Sequence, residues 1–277
     1  MLNPNKEQKR IVVKVGTNVM TNRDNRIVQP ILKQLVQQIS HLYEQDVLTV
    51  LVSSGSAIAG KEVMSNDINI KDKSVRRQVF SAVGQPRMMR HYYSIFHDYG
   101  MRCAQVLATK RDFDPGVHRY NMIGCYEGLL SEGIIPIANE DDAVSLSMSM
   151  FTDNDELASL VAQLINADML IILTDIDGLY NGHPEDEDTE LIKHVSVDQK
   201  VEQYIQKTEK GEAEGRGGMR SKIGVAKSTA QKNIPTYIAN GKRENVIIDI
   251  VEGKNVGTKF TRLDPLEEAF EELKSNQ

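Results

Sequence analysis

Short β-branched runs recur along the chain with helix-length stretches between them: Ile11 to Val15, Val47 to Val52, Cys103 to Ala108, Ile134 to Ala138, Met169 to Leu173 and Ile234 to Ile238. That alternation predicts a mainly parallel sheet covered by helices on both faces, a doubly wound α/β fold in three αβα layers. The first intervening helix is legible from Ile31, Leu35, Ile39 and Leu42, whose spacing by four, four and three puts them on one face. At 277 residues the chain can bury one large core, or two closely joined lobes. The acidic, Pro- and Gly-containing stretch from Asp177 to Lys210 reads as an excursion into a second lobe. Residues 264 to 277 read as a docked helical tail with Leu266, Ala269, Phe270 and Leu273 on one side.

Composition narrows the partners. The net charge of -6 and the absence of any lysine–arginine stripe give no field for holding nucleic acid. Without tryptophan, a base-stacking surface is also not expected. Cys103 and Cys125 make neither a metal-ligand pair nor a disulfide framework by spacing, and the six histidines show no metal-ligand spacing. The opening MLNPNKEQKR has no apolar core for a signal peptide, and no apolar run is long enough to span a bilayer, so a cytoplasmic protein is expected.

In doubly wound sheets ligands bind beyond the carboxyl ends of the strands. The residues there are Gly16-Thr17, Ser53-Ser54-Gly55, Asn139-Glu140-Asp141-Asp142 and Thr174-Asp175. Lys14 lies inside the first strand, where an apolar residue is the rule. An ammonium group there must be paired or meet an anion, unless the strand lies at an edge and the side chain reaches water. Gly16 permits close approach of a phosphate, yet neither a P-loop nor a dinucleotide fingerprint is present. Ser53-Ser54-Gly55-Ser56 offers hydroxyls and N–H groups at a helix start, as an anion site or an ordinary cap. Gly215-Arg216-Gly217-Gly218-Met219-Arg220-Ser221-Lys222 is suited to wrapping nucleotide phosphates, or is a solvent loop. The carboxylates of 139–142 and of Asp153-Asn154-Asp155 are either surface loops or a site for an ammonium group, for lysines or for Mg²⁺.

Taken in order, VVKVGTNVMT, LVSSGSAIAGKE, AVGQ, IPIANEDDAV, DNDELASLVA, ILTDIDGLY and GRGGMRSK resemble the amino-acid kinase family, from Val12 to about Phe260. Within it they are most similar to the members that phosphorylate glutamate at the start of proline biosynthesis. The resemblance implies transfer of the ATP γ-phosphoryl to the side-chain carboxylate of L-glutamate, with Mg²⁺ carried by the ATP phosphates and no side chain assigned to the metal. It implies catalytic roles for Lys14, Lys222 and Asp155, with Asp155 orienting the two lysines. Glutamate would be bound by Ser54, Gly55, Asn139, Asp142 and Asn154. The nucleotide would be held by Lys14, Gly16, Thr174, Asp175, Gly217, Gly218, Met219 and Lys222. An amino-acid-binding lobe is expected over residues 8–170, a nucleotide-binding lobe over 171–262 and the tail beyond.

The resemblance further implies a homo-oligomer, dimer or tetramer, feedback inhibition by proline, and coupling to glutamate-5-semialdehyde dehydrogenase. Members often carry a C-terminal PUA domain, and an end soon after Phe260 implies a short form without it. This sequence departs from the family pattern at Asp141, Arg216 and His183. Two other readings stand beside this one: a relative of the same fold acting on N-acetylglutamate, aspartate, carbamate or uridylate, and a non-catalytic glutamate or nucleotide sensor.

Overall fold

The first apolar run forms the middle of the sheet. β1 (Arg10–Val15) lies between β2 (Leu48–Ser53) and β5 (Met169–Thr174), parallel to both. The computed structural model describes residues 8–64, 68–145, 150–182, 189–201, 203–204, 218–263 and 266. Among these the sheet has eight strands. Beyond β2 come β4 (Ile134–Glu140) and β3 (Arg102–Ala108), and beyond β5 comes β7 (Thr236–Asn240), all parallel to their inner neighbours. All six predicted strands are present, the last displaced by two residues from its expected start.

The sheet also has two strands that the apolar runs did not mark. β8 (Thr258–Thr261) pairs antiparallel with β7, and β6 (His194–Ser196) pairs parallel with β8. The described part of the 177–210 excursion therefore returns to the sheet as its last strand. The predicted tail, apart from Leu266, lies outside the described residues.

Both faces of the strands are apolar, so each needs a cover, and two separate cores result. Ile11, Val13, Val15, Leu51, Ile171 and Leu173 pack under α2 (Gln29–Glu44), α4 (Lys73–Asp98) and α8 (Val246–Val251). Val12, Val50, Val52, Leu170 and Ile172 pack under α5 (Val117–Ser131), α6 (Asn154–Leu164) and α7 (Met219–Ala230). On α2 the predicted stripe faces inward, with Leu35, Ile39 and Leu42 buried. Pro30 stands in its first turn, where a missing N–H is harmless.

α3 (Ser56–Met64) meets α4 at backbone distance. A Cβ on Gly60 would sit 1.9 Å from the Phe80 carbonyl oxygen, and one on Gly84 would sit 1.7 Å from that of Ser56. Only hydrogen fits at either place. α4 starts at Asp72, whose carboxylate accepts from the N–H groups of Ser74 (2.7 Å) and Val75 (3.0 Å).

Candidate active site

The two-residue period of β1 puts Lys14 on the same face as Val12, toward α6. Val52 and Ile172 flank it in register, so it is not an edge lysine reaching water, and it is 4% exposed. Its Nζ lies 2.6 Å from Oδ1 of Asp155, which is fully buried in the first turn of α6. The other oxygen, Oδ2, lies 2.8 Å from Nζ of Lys222 on α7.

One N-cap fixes both helices. Oδ1 of Asp153 accepts from the N–H groups of Asp155 (2.9 Å) and Glu156 (3.1 Å), which starts α6. Its Oδ2 accepts from the Ser221 hydroxyl at 2.7 Å, and Ser221 precedes Lys222. The carboxylate that holds the lysines and one of the lysines it holds are thus anchored to a single side chain.

Two ammonium groups thus share one carboxylate in a buried place, with the buried carboxylate of Asp153 also close enough to act on Lys14. Burial first, and then the neighbouring Lys222 ammonium, hold the Lys14 pKa below the usual lysine value despite its attraction to Asp155. Burial pushes the Asp155 carboxyl upward, but the two lysines outweigh it and hold it below its ordinary value. Asp155 therefore stays ionised and acts as a fixed counter-charge.

On the other side of α6's first residue, the polar groups are neutral. The Asn154 amide donates to the Ser54 hydroxyl (2.9 Å), the Ser53 carbonyl (3.1 Å) and Oδ1 of Asn139 (2.9 Å). Asn139 in turn donates to Oε1 of Gln85 at 2.8 Å. Gly55 turns the chain here with φ +94, a conformation that side chains disfavour, and a Cβ would also press on Met20.

Farther along, Asp142 accepts from the Ser56 hydroxyl at 3.5 Å and pairs with Arg77 at 3.1 Å. Arg77 also lies 3.9 Å from Oε2 of Glu140. Burial and the charge of Asp142 push the Glu140 carboxyl above its ordinary value. A cavity of about 200 Å³ opens here, with Ser56, Gln85, Glu140 and Asp142 among its walls. A larger cleft of about 710 Å³ between α2 and α8 shares none of these residues.

At the nucleotide end of the prediction, the Gly16 N–H donates to the Leu173 carbonyl at 3.0 Å, and a Cβ on Gly16 would lie 3.6 Å from the Lys14 ammonium. Asp175 accepts from Thr174 (3.2 Å) and from Asn18 (3.3 Å). Gly218 is the N-cap of α7 and Met219 its first residue. Gly217, with the departures Arg216 and His183, lies outside the described residues. The third departure, Asp141, shapes a turn by accepting from the Ala143 N–H at 3.2 Å.

Lys14, Asp155 and Lys222 thus meet directly, and Ser54, Asn139 and Asn154 form one network adjoining them. Gln85 and Arg77 join this ground without having been singled out. Gln85 stood inside the AVGQ motif, whereas Arg77 lies among other charged residues of α4 and nothing local marks it.

A fold and site of this kind, with a lysine from the central strand and another from a helix sharing one buried aspartate, define a phosphoryl-handling class. The sequence matches the model of the Amino acid kinase family over residues 9–240. The chain belongs to that family. A glutamate 5-kinase of Bacteroides thetaiotaomicron is 40% identical over 265 residues, covering 96% of this chain and 72% of that relative. One of Alkaliphilus metalliredigens is 37% identical over 257 residues, covering 92% of this chain and 96% of that one. The solved UMP kinase of Bacillus anthracis shares the fold, with a TM-score of 0.64 at 14% identity, covering 93% of this chain and 97% of its own.

Proposed function

We propose that the chain transfers the γ-phosphoryl group of ATP to the side-chain carboxylate of L-glutamate, giving L-glutamyl 5-phosphate and ADP, the first step of proline biosynthesis. The observation that carries this reading is the buried Lys14–Asp155–Lys222 cluster, two ammonium groups held on one carboxylate, one residue along the chain from the Asn154–Ser54 network. The relatives named glutamate 5-kinase at 37–40% identity support glutamate over the other acceptors of the fold.

The attacking carboxylate is already ionised at neutral pH, so no general base is needed. Its oxygen forms a bond to phosphorus as the bond from phosphorus to the ADP oxygen breaks. Charge spreads over the equatorial phosphoryl oxygens, and stabilising it is mainly a matter of alignment and of cations already in place. Lys14 and Lys222 supply those cations from two elements, and Asp155 keeps them from swinging away. Asn139, Asn154, Ser54 and the backbone at Gly55 hold the acceptor. Gly16, Thr174, Asp175, Gly218 and Met219 would hold the nucleotide.

Both oxygens of Asp155 are taken by ammonium groups, so Mg²⁺ fits this site as an ion borne on the ATP phosphates, where it neutralises their charge. In this reading residues 8–170 carry the acceptor site and 171–262 the nucleotide site. The product is a labile acyl phosphate, which favours coupling to glutamate-5-semialdehyde dehydrogenase. A homo-oligomer working in the cytoplasm completes the reading. Among the described residues no helix is long and apolar enough to cross a membrane.

The test is to incubate the protein with Mg-ATP, L-glutamate and hydroxylamine and measure the hydroxamate that traps an acyl phosphate. Hydroxamate formed with glutamate is the expected outcome. Turnover only with N-acetylglutamate, aspartate, carbamate or UMP would reassign the acceptor, and ligand binding without turnover would leave a sensor.

A further inference from the structure

Every amino acid presents an ammonium group and a carboxylate on one carbon, so whatever reads the first has the second beside it. Asp142, one of the residues expected to bind glutamate, has the charge to meet an α-ammonium group, yet its Oδ1 is occupied by Arg77 at 3.1 Å. Asp142 lines that cavity and is 10% exposed at its side chain, and Arg77 is 36% exposed, so the arginine is the partner nearer solvent. Arg77 also stands 3.9 Å from Glu140, which no other cation approaches among the recorded ion pairs of the described residues. A guanidinium carries five N–H donors in a fixed fork, and one edge on Asp142 leaves others directed elsewhere. The neutral groups around Asn154 hold no cation for a second carboxylate, and Lys14 and Lys222 are committed to the far end of the site.

We propose that Arg77 is a further acceptor-binding residue, pairing with the α-carboxylate of the incoming amino acid while Asp142 pairs with its α-ammonium group. This rests on the glutamate reading above. In the free protein Arg77 serves as the counter-charge of Asp142 and Glu140. On binding, the zwitterionic end of the substrate inserts its ammonium beside Asp142 and its carboxylate beside Arg77, so the number of opposite charges in contact rises on both sides. The pair then selects for a free α-amino acid, because an acceptor missing either charge leaves Asp142 or Arg77 as it was.

The experiment compares L-glutamate with 4-aminobutyrate, which keeps the reacting carboxylate and the amine but lacks the α-carboxylate. For Arg77→Ala the KM for glutamate should rise about tenfold to a hundredfold, the worth of one charge-assisted hydrogen-bonded pair. The KM for ATP should stay unchanged, and the inhibition constant of 4-aminobutyrate against glutamate should shift by no more than about threefold, well under one such pair. Arg77→Lys should recover most of the glutamate affinity, and Arg77→Met should not. An unchanged glutamate KM in Arg77→Ala overturns the proposal, as does an equal weakening of both ligands, which would make Arg77 only a brace for Asp142. Where 4-aminobutyrate inhibits neither form, the glutamate KM together with the Lys and Met variants decides. Absence of glutamate turnover in the unaltered protein would instead sink the reading on which the proposal rests.

Discussion

The two ends of the site are built from opposite materials. At one end Lys14, Asp155 and Lys222 crowd three charges into a buried volume, with two ammonium groups on one carboxylate. At the other, Glu140, Asp142 and Arg77 leave a negative excess in a partly open cavity. Among the described residues, the groups adjoining both ends are amides and hydroxyls from Asn154, Asn139, Gln85 and Ser54. A molecule with an ammonium group at one end and a carboxylate at the other is oriented by such a site before any specific contact forms. In the proposed reaction the buried end would stabilise the charge that moves, and the open end would admit and release the acceptor.

That contrast can be broken from either side. The largest effect belongs to the buried end: Lys222→Ala should lower kcat by about a hundredfold to a thousandfold, as for loss of one preorganised donor at the transferring group. Its glutamate KM should hardly move, and an unaltered kcat would remove Lys222 from the chemistry. At the open end the pattern inverts, with Asp142→Asn raising the glutamate KM by about tenfold or more while kcat stays within a few-fold. A kcat loss matching that of Lys222→Ala would show that the two ends are not separate.

Gly84→Ala attacks the neutral middle through packing. Its Cβ would collide with the Ser56 carbonyl, so stability should fall by about 1–3 kcal/mol. Thermal unfolding would show it as a midpoint several degrees lower, and an unchanged midpoint would mean that α3 and α4 part freely. The smallest effect is on pH. Because the Lys14 pKa is lowered, the free enzyme loses this cation before an ordinary lysine would, so kcat/KM for ATP should decline on an alkaline limb below 10.5. Lys14→Arg, whose charge persists, should remove that limb if the variant retains turnover.

Much of this was legible beforehand because it is written in local patterns. Runs such as Val12 to Val15 and Leu170 to Leu173 are apolar on both faces, which forces covered strands, and Lys14 stands out because it interrupts one. β6 and β8 escaped notice because His194–Ser196 is three residues long and Thr258–Thr261 has one apolar member, leaving no period to read. Gln85 and Arg77 were hidden for another reason. They ride on a 26-residue helix rich in polar side chains, and only the placement of α4 against β4 decides which of these point at Asn139 and Asp142. Glycines inside two consecutive helices were the available signal, since such residues often mark close packing.

The contact at Gly60 and Gly84 joins α3 and α4 like the pivot of a lever. Arg77 lies seven residues from Gly84, roughly 10 Å along the axis at the rise of an α-helix. Ser56, whose carbonyl touches the pivot and whose hydroxyl reaches Asp142, sits at the fulcrum itself. Were α4 to tilt about that contact, Arg77 would move farther than Ser56, so the Arg77–Asp142 pair would feel the change first. Substitutions elsewhere on α4 that changed its tilt would then reach that pair while leaving Lys14 and Lys222, which stand on other elements, in place.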